Sequence, residues 1–344
     1  MAKCTCNLCR EGKYNSEDYY VDMSFLKKER PVGVSGLLRV KNDAEFLSDC
    51  IESCIDALDE LIICYQDCTD NAPEIIREKQ QKYPDKIKVY YYAPPVLCHG
   101  LAEEEKKYVF SLPDSSIHKL CNYYNYTLSK ATYRYAMKID SDQIYFTDKL
   151  KRYCDAYRGM KEISRAKLIL SRLFSFFIKV TSPYFLWKPQ IAIRMYESCL
   201  FHRITEEHVP LILEGINLGL DMNGWKACML RGNDMRGNLF NGGGDHLLFE
   251  ISEKTYYYTV GDYSGVPIER MDCGEHIHGG VFWYHLKGLK YPEQCTLFDF
   301  SILKDQTLDK NLYLFYPVFF SYEKECLPDP EDLLSEIKEK INGK

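Results

Sequence analysis

The stretch Tyr133-Arg-Tyr-Ala-Met-Lys-Ile-Asp-Ser-Asp-Gln-Ile-Tyr-Phe146 decides the fold. Tyr133 to Ile139 is rich in β-formers, mostly apolar and free of Gly and Pro, so it predicts a buried strand. It runs directly into Asp140-Ser141-Asp142. On extended backbone, two carboxylates two residues apart project from the same face. Their place is the carboxyl end of a strand, where open α/β sheets bind ligands. Paired hard oxygen donors there suit a divalent cation that also holds a diphosphate.

Upstream, the chain alternates strand and helix. Val32 to Val40 predicts a first strand, followed by Arg39-Val-Lys-Asn-Asp43. Asn42 is placed to cap the next helix, with Glu45 at the capping-box position. Leu47, Cys50, Ile51, Cys54, Ile55 and Leu58 recur at helical spacing and form one apolar face, with Asp43 and other acids on the solvent side. Leu61 to Tyr65 is a continuous apolar strand of the kind covered on both faces. The polar loop Gln66 to Asn71 follows, in which Asp70 or Asn71 can cap a helix running to about Tyr83, with Pro73 in its first turn. Lys86 to Tyr92 is a third strand. Residues 32–92 therefore predict β-α-β-α-β with parallel strands and right-handed crossovers. No GxGxxG is present, which disfavours a dinucleotide.

Residues 93–116 predict a loop with Pro94-Pro95 and a solvated helical turn at Glu103 to Lys107. Ser116 is placed to cap a helix whose shared face is Ile117, Leu120, Cys121, Tyr124 and Leu128, with Asn122 and Asn125 on other sides. After a short helix ending near Tyr157, Ala166 to Arg172, Phe174 to Val180 and Gln190 to Tyr196 predict strands of a mixed region. Asn241-Gly-Gly-Gly-Asp-His246 permits close backbone approach to a ligand or is a plain loop. His276 and His278 alternate on an extended segment and form either a metal pair or ordinary strand residues. The chain is aromatic-rich from Phe298 to Tyr322. Leu333 to Ile341 predicts an amphipathic helix for packing, or for a partner or membrane-surface contact. The expected organisation is an arm over 1–30, a nucleotide-binding half over 31–160, a second half over 161–322 and a C-terminal helix over 323–344.

Bulk numbers narrow the class. The 344 residues are 46% hydrophobic and 27% charged, as in soluble globular chains. A net charge of −6 argues against a general nucleic-acid binder. The 15 cysteines are scattered, and Met1 to Arg30 has no apolar core of a signal peptide, so reduced thiols in a cytoplasmic setting are expected. No apolar run approaches the ~20 residues of a spanning helix. Cys4, Cys6 and Cys9 lack a fourth ligand at zinc-finger spacing, which favours free thiols on a loose arm. The 28 Tyr and 17 Phe are the unusual feature, suited to sugar platforms or plain core.

Five boxes in order carry a resemblance: Arg39 to Asp43, Tyr65 to Asp70, Tyr83-Pro84, Tyr123 to Tyr126, and Lys138 to Asp142. Over roughly residues 32–175 the chain resembles GT-A glycosyltransferases of the large family-2 type. It is most similar to bacterial β-1,4-N-acetylgalactosaminyltransferases of lipo-oligosaccharide synthesis, of the Campylobacter type. The resemblance implies an α/β fold: a GT-A, Rossmann-like, mostly parallel central sheet flanked by helices, with a mixed α+β acceptor-side second half. It implies that Gln66 and Asp67 meet uracil, that Arg39, Asn42 and Ser141 lie beside the nucleotide, and that Asp140 and Asp142 bind Mn²⁺ or Mg²⁺. It further implies His285 as a third metal or diphosphate contact, and Asp245 as the base that takes the acceptor proton in an inverting displacement. The expected partners are a UDP-sugar donor and a glycan or glycolipid acceptor, with a peripheral membrane contact open. Two other readings compete: a nucleotidyltransferase, disfavoured by the missing Gly-rich phosphate loop, and a non-catalytic glycan-binding module, disfavoured by the intact acids.

Overall fold

In the computed structural model, residues 9–342 are described except 11, 13, 99, 161–162, 182–187, 232–238, 243–245, 263–264 and 305–322. Cys4, Cys6, Asp245 and most of the aromatic run 298–322 lie outside the described residues. The chain divides into two units, residues 1–47, 58–141 and 249–274 in the first, and 48–57, 142–248 and 275–344 in the second. The division falls between Ser141 and Asp142. Strands and helices are numbered along the chain.

The first unit holds the predicted parallel sheet. Its strands are β1 (Val34–Val40), β2 (Glu60–Tyr65), β3 (Ile87–Tyr91) and β4 (Tyr135–Ile139). Ser35 to Val40 register with Glu60 to Tyr65, Leu61 to Tyr65 with Ile87 to Tyr91, and Val34 to Leu38 with Tyr135 to Ile139, all parallel. The order is therefore β4-β1-β2-β3. The chain moves outward through β1, β2 and β3, then returns to the other side of β1. That reversal is a topological switch point, and it places a crevice at the carboxyl ends of β1 and β4. Gly36 keeps β1 slim: a Cβ there would lie 2.6 Å from Leu58 and 2.7 Å from Ile139.

Helices α1 (Ala44–Cys54) and α2 (Ala72–Lys82) are the crossovers after β1 and β2. Leu47, Cys50, Ile51 and Cys54 of the predicted stripe are fully buried, each large aliphatic side chain contributing about 1.5–3 kcal/mol. Glu103 to Lys107 opens a helix, α3 (Glu103–Ser111), longer than the solvated turn expected. Helix α4 (Leu120–Ser129) starts after Lys119, with no side-chain cap from Ser116. Asn122 and Asn125, off the shared apolar face, are buried as well. Asn125 bonds both backbone groups of Tyr257, its Nδ2 donating to the carbonyl at 2.7 Å and its Oδ1 accepting from the amide at 2.8 Å. It thereby ties α4 to the hairpin β10 (Tyr257–Gly261) and β11 (Pro267–Met271).

The second unit is a mixed α+β assembly. Its strands are β5 (Gln143–Tyr145), β6 (Leu211–Asp221), β7 (Gly224–Leu230), β8 (Phe240–Asn241), β12 (Ile277–His285) and β13 (Cys295–Phe298), and Leu247 and Leu248 open β9 (Leu247–Glu250). β6 and β12 run parallel, and the other pairings are antiparallel: β5 on β12; β7, β8 and β9 on β6; and β13 on β7. Its helices are α5 (Thr147–Tyr157), α6 (Arg165–Thr181), α7 (Pro189–Glu207), the short α8 (Lys287–Lys290) and α9 (Pro330–Ile341). The strands expected at Ala166 to Arg172, Phe174 to Val180 and Gln190 to Tyr196 are instead parts of α6 and α7. Short apolar runs fit a buried strand and a helix equally well, and here helical packing decides. Helix α9 packs on protein: Leu333 and Ile337 are buried, and Lys340 Nζ donates to Glu52 O at 2.7 Å and Asp56 Oδ2 at 2.8 Å.

One buried carboxylate ties the amino end of the first sheet. Glu60 is 1% exposed and accepts from Ser35 Oγ at 2.6 Å, Thr132 N at 2.6 Å, Thr132 Oγ1 at 2.8 Å and Lys88 Nζ at 2.5 Å. Burial pushes its pKa up, but these bonds outweigh it and hold the carboxyl below its ordinary 4.5. A depressed carboxyl contributes stability above its unfolded value and loses it as pH falls through the folded one. Glu60→Ala should therefore cost on the order of 2–3 kcal/mol at pH 7 in denaturant melts. The gap to the parent should close as pH drops below the ordinary value of 4.5.

Candidate functional site

The loops leaving β1, β2 and β4 carry the predicted side chains of the first unit. Arg39, near the end of β1, is the centre. Its side chain is 6% exposed, and its guanidinium lies 3.7 Å from the centroid of the Tyr124 ring. Nη2 stands 3.5 Å from Asp140 Oδ1 and Nη1 donates to Leu37 O at 3.2 Å. Burial works against the charge, but Tyr124, Asp140, Tyr257 and Glu269 act in the other direction and the net shift is upward. Arg39 is thus a fixed cation at the switch point. Nearby, Lys138 of β4 pairs with Glu269 of β11 at 3.2 Å.

Asn42 does not cap α1. Its backbone is left-handed, with φ +56°, and its Oδ1 accepts from Thr69 N at 2.7 Å and Thr69 Oγ1 at 3.3 Å. The capping falls to Asp70, whose Oδ2 accepts from Ala44 N at 2.8 Å and whose Oδ1 accepts from Ala72 N at 3.2 Å. One carboxylate serves the first turns of both α1 and α2, which locks the β1 and β2 loops together. Ser141 Oγ donates to Asp43 Oδ2 at 2.8 Å, adding the β4 loop. Gln66 is buried, its amide donating to Pro94 O at 3.2 Å, whereas Asp67 is exposed.

In the second unit Asp142 begins the segment 142–248. Residues 141–142 form a turn, so the extended-strand argument for one shared face does not apply to this pair. Asp142 Oδ1 lies 3.2 Å from His285 Nε2, and Asp142 Oδ2 lies 3.4 Å from Lys290 Nζ. Asp142 O accepts from Leu286 N at 3.0 Å, so backbone and side chain both meet the end of β12. His285 Nδ1 donates to Asn217 Oδ1 at 2.6 Å, which turns Nε2 toward the carboxylate. Beside Asp142, Gln143 Nε2 donates to Asn241 Oδ1 at 2.9 Å and also meets His246 Nε2 at 2.8 Å. Trp283 Nε1 donates to the same Asn241 oxygen at 2.9 Å. Gly215 leaves room for that indole, since a Cβ there would lie 2.0 Å from Nε1.

The structure thus joins Arg39 to Asp140 in one unit and Asp142 to His285 in the other. Asp245 lies outside the described residues. Among the described residues, no group of three or more His, Cys, Asp or Glu side chains is assembled for a metal. His276 and His278 have ring centroids 5.8 Å apart, and burial, then His276, lowers the His278 pKa to about 4. On the arm, Cys9 Sγ lies 3.1 Å from His118 Nε2. Sequence reasoning missed Tyr124, Asp43, Asn217 and Lys290 as site residues. Tyr124 was visible as one of the Tyr123 to Tyr126 aromatics; Lys290 and Asn217 carry no local signal.

Comparison with known proteins agrees with the resemblance. The family model described as Beta-1,4-N-acetylgalactosaminyltransferase (CgtA) matches residues 9–171. A search of curated proteins found no match. Among solved structures, similarity is found to glucosyl-3-phosphoglycerate synthase from Mycobacterium tuberculosis in complex with Mn²⁺, UDP and phosphoglyceric acid. That match has 17% identity and TM-score 0.22, and covers 36% of this chain and 36% of that one. The complex of the same enzyme with Mg²⁺ and UDP matches at 17% identity and TM-score 0.22, covering 36% and 37%. A mycobacterial protein matches at 16% identity and TM-score 0.22, covering 36% of this chain and 34% of that one. The chain spans about a third of the length of these structures.

The Asp70 junction is testable by itself. Asp70→Ala should cost on the order of 1–2 kcal/mol for each helix start it frees, read as a lower denaturant midpoint. Asp70→Asn should recover only about half of that loss, because its single oxygen accepts from one of the two backbone amides while its NH2 faces the other.

Proposed function

We propose that the chain is a metal-dependent glycosyltransferase that moves a hexose or N-acetylhexosamine from a UDP-sugar to a hydroxyl of a glycan or glycolipid acceptor, with inversion, in surface-glycan synthesis. The observation that carries the reading is the Asp142–His285 pair, 3.2 Å apart and oriented from behind by Asn217. A carboxylate oxygen and an imidazole nitrogen at that separation fit two positions on one divalent cation. The mixed donor set favours Mn²⁺ over Mg²⁺, since imidazole is a poor partner for the harder ion. Asp140, two residues away along the chain, is the second proposed carboxylate ligand. Hard cations in such sites commonly take few protein ligands and complete their shell with phosphate oxygens and waters. When bound, the cation neutralises charge that develops on the departing diphosphate.

The other roles belong to this chain's own groups. Arg39, held on Tyr124, fixes Asp140 and supplies permanent positive charge beside the diphosphate. Asp67, exposed after β2, accepts from the uracil or ribose, while Gln66 braces its loop through Pro94. Asn42 and Ser141 shape the nucleotide floor through Thr69 and Asp43. Asp245 is the proposed base that takes the acceptor proton, a contribution of typically ~10²–10⁴ in rate. The family match over residues 9–171 supports both the fold of this half and the sugar-transfer chemistry.

Thermal-shift measurements against UDP-, GDP- and CMP-sugars, with and without Mn²⁺, test this directly. Stabilisation should require UDP and metal together, reaching about 2.7 kcal/mol at a hundredfold excess over Kd. Asp142→Ala should abolish that shift and transfer while the protein still folds and melts cooperatively. Asn217→Ala should weaken metal affinity by about 10–100-fold. An unchanged shift in Asp142→Ala removes the metal assignment. Pyrophosphate release from a nucleoside triphosphate and a sugar phosphate would mark a nucleotidyltransferase instead, and tight glycan binding without UDP or metal a binding module.

A further inference from the structure

Helix α6 has two apolar faces, and the protein covers one of them. Leu168, Ser171 and Ile178 face inward, and Ile178 forms a small core with Ala192, Phe174 and Ile193. Ser171 Oγ donates to Met195 Sδ at 3.7 Å on the same side. The opposite face carries Ile169 (60% exposed), Leu170 (57%), Leu173 (56%), Phe176 (66%), Phe177 (59%) and Val180 (53%). At 100° per residue these six fall within about 120° of the helix circumference, so they form one stripe. Six large apolar side chains in one exposed stripe exceed what a monomer ordinarily leaves in water, and such patches mark interaction surfaces.

Charge selects the partner. Residues 165–196 contain Arg165, Lys167, Arg172, Lys179, Lys188 and Arg194 and no acidic residue, in a chain whose net charge is −6. Arg165, Lys167, Arg172, Lys188 and Arg194 are all exposed. An apolar stripe flanked by basic residues and lacking acids is the pattern of a helix lying in the plane of an anionic membrane surface. A second copy of this chain would bring the same cations against one another, which disfavours self-association through this face. The helix has 17 residues, and no described helix is long and apolar enough to cross a membrane.

We propose that α6 docks the protein on an anionic lipid bilayer, with Leu173, Phe176 and Phe177 seated among the acyl chains and Arg165 and Arg172 at the phosphates. This surface is separate from the nucleotide-sugar reading and does not depend on it. The C-terminal helix, for which the sequence left a membrane contact open, has Leu333 and Ile337 buried on protein.

The experiment is flotation of the full chain with vesicles of phosphatidylcholine, alone or with phosphatidylglycerol, at low and high salt. The parent should bind anionic vesicles at least tenfold better than neutral ones and lose most binding in high salt. The double variant Phe176→Glu, Phe177→Glu should lose at least tenfold in binding with an unchanged melting temperature, since both rings are exposed. Arg165→Glu with Arg172→Glu should remove the preference for anionic vesicles. As a second readout, Phe176→Trp should add a tryptophan emission that shifts to the blue with anionic vesicles. The proposal is overturned if the parent binds neither vesicle, if the glutamate variant binds undiminished, or if the new tryptophan does not respond. It is likewise overturned if the parent is a dimer by light scattering that the glutamate pair dissociates without any vesicle binding. A loss of melting temperature in that pair, with no vesicle binding by the parent, would mean the face is covered within the molecule, and overturns it too. The UDP-dependent thermal shift is read separately, so either proposal can fail alone.

Discussion

The Arg39 guanidinium is where the first unit's architecture becomes chemistry. Removing a cation from water is costly unless partners replace the lost solvation. Here a Tyr124 face, the Asp140 carboxylate and the Leu37 carbonyl do so together. Those partners come from α4, the β4 loop and β1, so the charge can be buried only when the parallel register is correct. The same constraint works in reverse. With Arg39 held, Asp140 is held, and the carboxyl end of β4 acquires a defined conformation before any ligand arrives. Stacking adds an attraction that a lysine point charge could not reproduce at this geometry.

Much of the first unit was legible because its signals are local and repeated. Apolar runs ending in polar loops marked β1, β2 and β4, and the short connections within residues 32–92 set the parallel sense of β1, β2 and β3. The capping of α1 was misread for a physical reason. Asn42 has the right chemistry for a cap, but its backbone is left-handed and its side chain crosses to Thr69. The cap comes from Asp70, 26 residues from the amide it accepts from, and no local pattern reports a contact of that separation. Asn122 and Asn125 were placed off the shared apolar face of α4, with no partner assigned to them. Both are buried with protein partners, Asn122 donating to Tyr19 O and the Tyr92 hydroxyl and Asn125 bonding the two backbone groups of Tyr257.

The candidate site was legible to the same degree. Asp140 and Asp142 stood out as a pair, yet the spacing argument assumed extended backbone where the chain turns. The turn gives each carboxylate its own partner, Arg39 for one and His285 for the other. His285 was marked as a late histidine, but its orientation rests on Asn217 in β6, which pairs with it across a parallel register. Second-layer contacts of this kind are set by strand alignment rather than by motif, so they are found only in three dimensions.

Helix α6 shows how a functional surface can hide a fold signal. A helix covered on one face alternates apolar and polar residues with a 3.6-residue period, and that contrast is what sequence reading detects. Ile169, Leu170, Leu173, Phe176, Phe177 and Val180 fill the outer face with apolar side chains while Leu168 and Ile178 fill the inner one. Taken as short windows, Ala166 to Arg172 and Phe174 to Val180 look like apolar strand-type runs, although over its full length the helix keeps a strong one-sided contrast. The residues that break the runs are basic or small, never acidic. A segment apolar on both faces must find a second apolar phase outside the protein, and the exclusive use of cations around it identifies the charge of that phase's surface. The apolar side chains that made the two short runs read as strands are largely the ones that form the exposed stripe of α6.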